Sequence, residues 1–156
     1  MLFFNRVKNI KPNTEFIAQN IKYYKTIEST NNTAFDNDCK DGTLFIAEKQ
    51  TKGKGRMGRK WFSKRGCGIW MSIALMPEIE PERINLITLV AGLAVCKTLK
   101  KIYNMPFKIK WPNDIAINGK KVCGILTEGK GENGKITKVV TGIGINVNQK
   151  SFPDEI

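Results

Sequence analysis

Residues 50–61 are Gln-Thr-Lys-Gly-Lys-Gly-Arg-Met-Gly-Arg-Lys-Trp, a stretch with three glycines, five basic residues and no acid. Short apolar runs at residues 43–47 and 68–75 flank it, and each predicts a buried strand. The pattern therefore predicts two strands joined by a glycine-rich cationic loop. Glycine lets backbone N–H groups come close to a ligand, and successive N–H groups can form an anion-binding concavity. The loop is thus suited to closing over a small anion.

Two arginines of the loop, Arg56 and Arg59, could add planar, bidentate contacts to a phosphate. The order G-x-x-x-x-G-K-[ST] of a P-loop is absent. Gly53, Gly55 and Gly58 match G-x-G-x-x-G, but they precede a predicted strand rather than the helix of a dinucleotide fingerprint. On this loop alone, a flexible surface loop of a lysine-rich protein is an equally good interpretation.

The whole chain has the composition of one globular domain, with 156 residues, 41% hydrophobic and 26% charged. No apolar run is long enough to span a membrane, and the first residues lack the order of a signal peptide. The four cysteines are widely spaced and there is no histidine. This pattern argues against a zinc site and for reduced thiols in a cytoplasmic protein. It also excludes Ser-His and Cys-His nucleophile pairs.

The net charge of +12 favours a polyanionic partner. However, most of the basic residues are lysines spread along the chain, and no basic helix or aromatic-basic RNA-binding motif occurs. Solvated lysines explain most of the charge, with the loop as the exception. A basic nucleic-acid-binding module stays as one alternative function.

The remaining pattern predicts strands and two helices. A strand is expected at residues 21–27, then a short helix from Thr33, preceded by Ser29, Thr30 and Asn31, which could cap it or bind a polar ligand. Residues 82–103 predict a long helix. Its apolar face is widened by three leucines, so we expect it to be mostly buried against a sheet: Leu86, Leu89 and Leu93.

Strands are also predicted at residues 107–111, 115–117, 120–127 and 136–147. The pairs Asn118-Gly119 and Asn133-Gly134 predict tight hairpin turns between them. The sequence therefore indicates an α+β fold with a mixed, largely antiparallel sheet packed on helices.

Three further positions could supply chemistry. Asp114 follows Trp-Pro-Asn, where the proline imposes an extended turn, and its carboxylate could hold Mg²⁺. Lys121 begins the returning strand of the first hairpin, and Gly124 would let a ligand approach closely. Taken singly, a turn aspartate and a solvated lysine explain the first two equally well.

Taken together, five segments resemble the catalytic domain of the biotin protein ligases: residues 28–31 (ESTN), 50–61, 110–114 (KWPND), 121–128 (KVCGILTE) and 142–146 (GIGIN). The resemblance runs from about residue 21 to 148. It implies the class II synthetase-like biotin/lipoate ligase fold. Residues 1–156 are then expected to form one catalytic domain shortened at its C-terminal side, without a helix-turn-helix domain or a C-terminal β-barrel domain.

The resemblance implies a two-step reaction: activation of biotin by ATP to biotinyl-5′-AMP with Mg²⁺, then transfer to a lysine of a biotin carboxyl carrier protein. A cytoplasmic protein without membrane or specific DNA binding is expected, and a homodimer is left open. A lipoate or octanoate ligase of the same fold is the other alternative.

The resemblance also assigns residues to the site, with Arg56 and Lys121 as the catalytic pair and Asp114 as the Mg²⁺ ligand. The biotin-binding residues would be Ser29, Thr30, Asn31, Gln50, Gly53, Lys54, Gly55, Arg56, Lys121 and Gly124. The ATP-binding residues would be Arg56, Arg59, Trp61, Asn113, Asp114 and Lys121. The chain departs from the family pattern at Lys54, where arginine is usual, and at Met57. The first change removes one bidentate donor.

Overall fold

The computed structural model describes residues 12–153 and contains one sheet and two α-helices in that range. The helices are α1 (Thr30–Asp36) and α2 (Ile84–Tyr103), and single 3₁₀ turns occur at Arg56–Gly58 and Pro81–Arg83. The strands are β1 (Ile21–Tyr24), β2 (Thr43–Ala47), β3 (Gly68–Leu75), β4 (Lys108–Lys110), β5 (Asp114–Ile117), β6 (Lys120–Glu132) and β7 (Lys135–Asn146).

The sheet has the strand order β1-β2-β3-β7-β6-β5-β4. Strand β1 is parallel to β2, and every other neighbouring pair is antiparallel. The predicted mixed, largely antiparallel sheet is therefore confirmed. The strands that flank the glycine-rich loop, β2 and β3, are antiparallel neighbours. The loop therefore leaves the sheet at the end of β2 and returns to it at the start of β3.

Both predicted hairpin turns form. Asn118 and Gly119 have φ values of 49° and 75°, and Asn133 and Gly134 have 54° and 76°. A type I′ turn requires positive φ at both central residues, which asparagine and glycine tolerate best. Local sequence thus specifies the register of the β5–β6 and β6–β7 hairpins.

The two faces of the sheet carry different helices. Alternate residues of a strand point to opposite faces. Ile69, Met71 and Ile73 of β3 lie on the face covered by α2, with Cys96 and Leu99 of that helix. Ala74 of β3 lies on the other face, against α1, in a cluster made of Ala34, Phe45, Ala74 and Val140. This second face, called here the site face, also carries Gly124 of β6 and Gly142 and Gly144 of β7.

The prediction that α2 is mostly buried through its leucines is wrong. Leu86, Leu89 and Leu93 are 57%, 40% and 47% exposed. The helix instead contacts the sheet through Gly92, Cys96 and Leu99. A Cβ built at Gly92 would lie 3.6 Å from Ile125 Cδ1, so the small residues bring this stripe close to β6. The leucines lie beside that stripe and stay outside.

Helix α1 begins at Thr30, three residues before the predicted start at Thr33. Ser29 alone is its N-cap, and its hydroxyl accepts a hydrogen bond from the Asn32 N–H at 3.4 Å. Thr30 and Asn31 therefore occupy the first turn rather than cap positions. Strand β1 ends earlier than predicted, at Tyr24, and a 3₁₀ turn rather than regular helix precedes α2.

Candidate functional site

A cleft lies on the site face where the first turn of α1 meets the glycine-rich loop and strands β6 and β7. It is narrow, with a cavity volume of about 40 Å³. Most of the predicted site residues line it: Ser29, Thr30, Asn31, Gln50, Lys54, Gly55, Arg56, Trp61, Asn113, Lys121 and Gly124.

One end of the cleft is polar, and its groups hold one another in fixed orientations. Gln50 Oε1 accepts a hydrogen bond from the Thr30 N–H at 2.7 Å and lies 3.0 Å from Thr30 Oγ1. Gln50 Nε2 donates to Ser63 Oγ at 2.8 Å. The Ser29 hydroxyl accepts from Asn32, and no described residue takes its own hydrogen. A hydroxyl can donate and accept at once, so this hydrogen is available to a ligand.

Asn31 is the most tightly held residue of the polar end. Its Nδ2 donates to Glu128 Oε2 at 2.7 Å and to the Leu126 carbonyl at 3.3 Å. Ser72 Oγ lies 2.6 Å from Asn31 Oδ1 and 2.7 Å from Thr30 Oγ1. Because a hydroxyl has one hydrogen, Ser72 can donate to only one of these two oxygens at a time. The network fixes the side chains before a ligand arrives.

Gly142 of β7 has no side chain, and the Asn31 side chain occupies the space that a Cβ atom would need. A Cβ built at Gly142 would lie 2.2 Å from Asn31 Oδ1. We predict that Gly142→Ala pushes Asn31 out of its network and lowers the free energy of unfolding by about 1–3 kcal/mol, the usual cost of overpacking. Urea unfolding measures this loss.

The matched control is Gly92→Ala in α2, where the new methyl group has room. Alanine is favoured over glycine inside a helix by about 0.5–1 kcal/mol, so this variant should be more stable than the wild type. A Gly142→Ala variant as stable as Gly92→Ala would contradict the contact between Gly142 and Asn31.

The glycine-rich loop forms a short hairpin of its own. The Trp61 N–H donates to the Gly53 carbonyl at 2.8 Å, and the Gly55 N–H donates to the Arg59 carbonyl at 2.7 Å. Gly53 is buried behind the cleft, since a Cβ there would lie 2.4 Å from the Trp61 carbonyl oxygen. Arg59 lies at a separate depression, which it shares with Lys60. The structure therefore does not bring Gly53 and Arg59 into the cleft.

Arg56 reaches across the cleft to the turn before β5. Its Nη1 donates to Asn113 Oδ1 at 3.2 Å. Asn113 is itself fixed to β6, because its Nδ2 donates to the Ile125 carbonyl and its own carbonyl accepts from the Ile125 N–H, both at 2.9 Å. A guanidinium has five N–H donors, so most of them are left for an anion in the cleft.

A β-bulge places Lys121 on the site face. Ile115 pairs with Cys123, but the next residue of β5, Ala116, pairs with Lys121, so Val122 is the extra residue. A bulge of this kind shifts the alternation of the strand and re-aims a side chain. Lys121 consequently lies over Gly124, where a Cβ would be 3.1 Å from Lys121 Cε.

The Lys121 ammonium has two close neighbours. It lies 2.8 Å from Asp114 Oδ1 and 5.2 Å from the centre of the Trp61 ring, a distance typical of a cation–π contact. The Trp61 indole also covers the two strand glycines, since Cβ atoms built at Gly124 and Gly144 would lie 2.7 Å and 2.4 Å from it. Gly124, predicted to lie against the ligand, thus contacts Trp61 and Lys121 here.

Asp114 is the carboxylate that could hold a divalent cation. In the part of the chain that the structure describes, no three His, Cys, Asp or Glu side chains are grouped closely enough to form a metal site. A single carboxylate fits Mg²⁺, which usually keeps several waters and completes its shell with substrate phosphates. The buried thiol nearby is not a nucleophile, because burial raises the pKa of Cys123 to about 12.

The fold and the cleft together define an α+β domain suited to a small polar ligand with an anionic end. The family model of the biotin/lipoate A/B protein ligases matches residues 23–146, and the chain belongs to this family. The predicted family and fold are therefore confirmed.

Individual relatives show the same likeness. The chain is 47% identical over 148 residues to the bifunctional ligase/repressor BirA of Bacillus spizizenii, covering 92% of this chain and 46% of that protein. It is 35% identical over 122 residues to the biotin–[acetyl-CoA-carboxylase] ligase of Mycobacterium tuberculosis, covering 74% and 42%. The structure of the biotin protein ligase from Aquifex aeolicus in complex with biotin and ATP matches with a TM-score of 0.71 and 38% identity, covering 88% and 56%. The chain spans about half the length of these proteins.

Three residues of the polar network were not predicted as site residues from the sequence: Ser63, Ser72 and Glu128. Ser72 lies between Trp70 and Ala74 on the buried side of β3. A serine at a core position of a strand is unusual, and this could have indicated a buried polar contact. Ser63, which fixes Gln50, lies in the loop and carries no comparable signal.

Proposed function

We propose that this chain carries the site that activates biotin with ATP and passes it to a lysine of a carrier protein. The observation that carries the proposal is the division of one cleft into two ends. Buried Thr30 and Asn31 form a polar end together with the half-buried Gln50. Arg56 and Lys121 bring two cations to the other end. Biotin has the same division, with a ureido ring at one end and a carboxylate at the other.

The polar end favours biotin over lipoate or octanoate, the alternative substrates. A ureido group offers one carbonyl acceptor and two N–H donors. A network of hydroxyl and amide groups held in fixed orientations can match these, as the Ser29 hydroxyl hydrogen illustrates. The dithiolane or methyl end of the alternatives offers no acceptor, so the Ser29 hydroxyl hydrogen would be cut off from water without a new partner, which costs about 1–3 kcal/mol.

In the first step, the biotin carboxylate attacks the α-phosphorus of ATP and pyrophosphate leaves. The two anionic groups repel each other, so cations near both lower the barrier. Lys121 would lie between the carboxylate and the α-phosphate, and Arg56 would hold the phosphate from the loop. Asn113 would face the nucleotide and Asp114 would hold Mg²⁺, which supplies charge neutralisation of the phosphates. Positioning supplies the rest of the rate, in keeping with the protonated Cys123 thiol.

In the second step, the ε-amine of an acceptor lysine attacks the acyl carbon of biotinyl-5′-AMP and AMP leaves. The acceptor is a biotin carboxyl carrier protein, as proposed from the likeness to the biotin–[acetyl-CoA-carboxylase] ligase. Along residues 12–153, none of the helices has the length and apolar character needed to cross a membrane.

Isothermal calorimetry with biotin, followed by Mg-ATP, tests the proposed function. We expect biotin to bind alone, and the added nucleotide to release pyrophosphate only when biotin is present. A parallel titration with lipoate should show much weaker binding. Tight lipoate binding that biotin cannot displace would replace the proposal with the lipoate alternative.

We also predict that the loop at residues 51–60 becomes protected from trypsin when biotinyl-AMP binds. Lys54, Arg56 and Arg59 repel one another until an anion arrives. Trypsin can cut after each of the five basic residues of the loop: Lys52, Lys54, Arg56, Arg59 and Lys60. Cleavage in this loop should slow at saturating ligand, while cleavage in the exposed hairpin at residues 130–135 should not change. Equal slowing at both places would indicate general stabilisation rather than closure of the loop.

A further inference from the structure

The cation assigned to the ligand anion already has a partner in the protein. The Lys121 ammonium lies 2.8 Å from Asp114 Oδ1, and the two side chains are 43% and 20% exposed. Asp114 Oδ1 is itself buried. Strand β5 carries Asp114 directly opposite Gly124. Gly124 and Lys121 line the cleft, whereas Asp114 does not. The ion pair therefore lies at the border of the site.

The two residues cannot perform their proposed roles while they are paired. An ammonium that contacts Asp114 is held away from a ligand carboxylate and phosphate. A divalent cation at Asp114 would meet the ammonium at close range, and like charges at that distance repel strongly in a partly buried site. Each role thus requires the other residue to be released.

We propose that the ligand carboxylate takes the Lys121 ammonium from Asp114, and that Asp114 is thereby released to hold a divalent cation. This exchange rests on the proposed function, because it assigns the incoming carboxylate to biotin. Asp114 is then a built-in counter-ion that balances the charge of Lys121 in the absence of ligand. The anion and the metal ion consequently strengthen each other's binding by the same factor, as linkage requires.

The geometry indicates that the lysine is the group that moves. Asp114 has a short side chain on a paired strand, whereas Lys121 has a long one that extends from the bulge over Gly124, with its Nζ 3.2 Å from the position of a Cβ there. The Trp61 ring, 5.2 Å from the ammonium, can keep it inside the cleft once it leaves Asp114. Only a swing of the lysine side chain is needed.

The exchange is tested by measuring the affinity for Mn²⁺ from the electron paramagnetic resonance signal of the free ion, with and without saturating biotin. In the wild type, biotin should strengthen Mn²⁺ binding roughly 10-fold, within the usual range of coupling between sites. Lys121→Met should bind Mn²⁺ without biotin about as tightly as the wild type does with it. Asp114→Asn should lose the biotin-dependent gain, and the neighbouring Lys120→Met should behave like the wild type.

Each other outcome overturns the exchange. If biotin binds but leaves the Mn²⁺ affinity of the wild type unchanged, the exchange fails and the proposed function stands. If Asp114→Asn keeps the biotin-dependent gain, the added negative charge acts without Asp114, and the exchange fails. If biotin does not bind the wild type at all, the proposed function fails and the exchange fails with it. The wild-type measurement alone is decisive should a variant not fold.

Discussion

Lys121→Ala should lower the rate of pyrophosphate release by about 100-fold or more, the usual effect of losing one preorganised donor to a developing charge. The ammonium is needed most in the transition state, where the biotin carboxylate and the phosphate oxygens crowd one phosphorus atom. The loss should therefore appear mainly in kcat. Biotin affinity should fall by a smaller factor, because the ground state brings one anion to Lys121 whereas the transition state brings two.

The matched control is Lys120→Ala. Lys120 pairs with Ile117 one position before the bulge and lies on the opposite face of β6. Its loss removes one positive charge from nearly the same place without touching the cleft. Both variants should keep the wild-type free energy of unfolding to within about 1 kcal/mol, since ion pairs with an exposed partner contribute little. Comparable rates of pyrophosphate release in the two variants would remove Lys121 from the site.

The fold was predictable wherever local signals decide. The Asn-Gly turns specify their hairpins by backbone conformation alone, and the apolar runs on either side of the glycine-rich loop gave β2 and β3 with their observed bounds. Helix α2 shows the limit of this reasoning. Periodicity marked an apolar stripe, but it could not tell which edge of the stripe faces the sheet. That choice depends on how closely Gly92 lets the helix approach Ile125.

The site was predictable as a set of residue types in order along the chain, not as a set of contacts. The position of Lys121 over Gly124 depends on a bulge in the pairing of β6 with β5. The sequence of β6 alone does not predict this bulge. The ion pair with Asp114 depends on the same bulge. Arg59 was predicted to bind ATP because it belongs to the same motif as Arg56. Arg56 lies in the cleft, but Arg59 lies at another depression.

Arg56→Gly should weaken retention of biotinyl-AMP far more than it weakens biotin binding. Biotin offers a single carboxylate, which Lys121 can hold alone, whereas the adenylate adds a phosphate that a guanidinium grips through two bonds. Hydrogen bonds to charged groups contribute about 1.5–3 kcal/mol, so the dissociation constant of the adenylate should rise roughly 10-fold to 150-fold. The hydrogen bond that joins Arg56 to Asn113 across the cleft is lost as well.

The measurement compares the dissociation rate of biotinyl-AMP with the dissociation constant of biotin, and it follows the labelling of a bystander protein by released adenylate. Arg59→Gly is the matched control, because it adds the same backbone freedom to the same loop and removes the same charge. Arg59 lies outside the cleft, so this variant should retain the adenylate nearly as well as the wild type and label the bystander little. If Arg56→Gly loses biotin and adenylate by the same factor, its effect is on the loop backbone, and the guanidinium does not hold the phosphate.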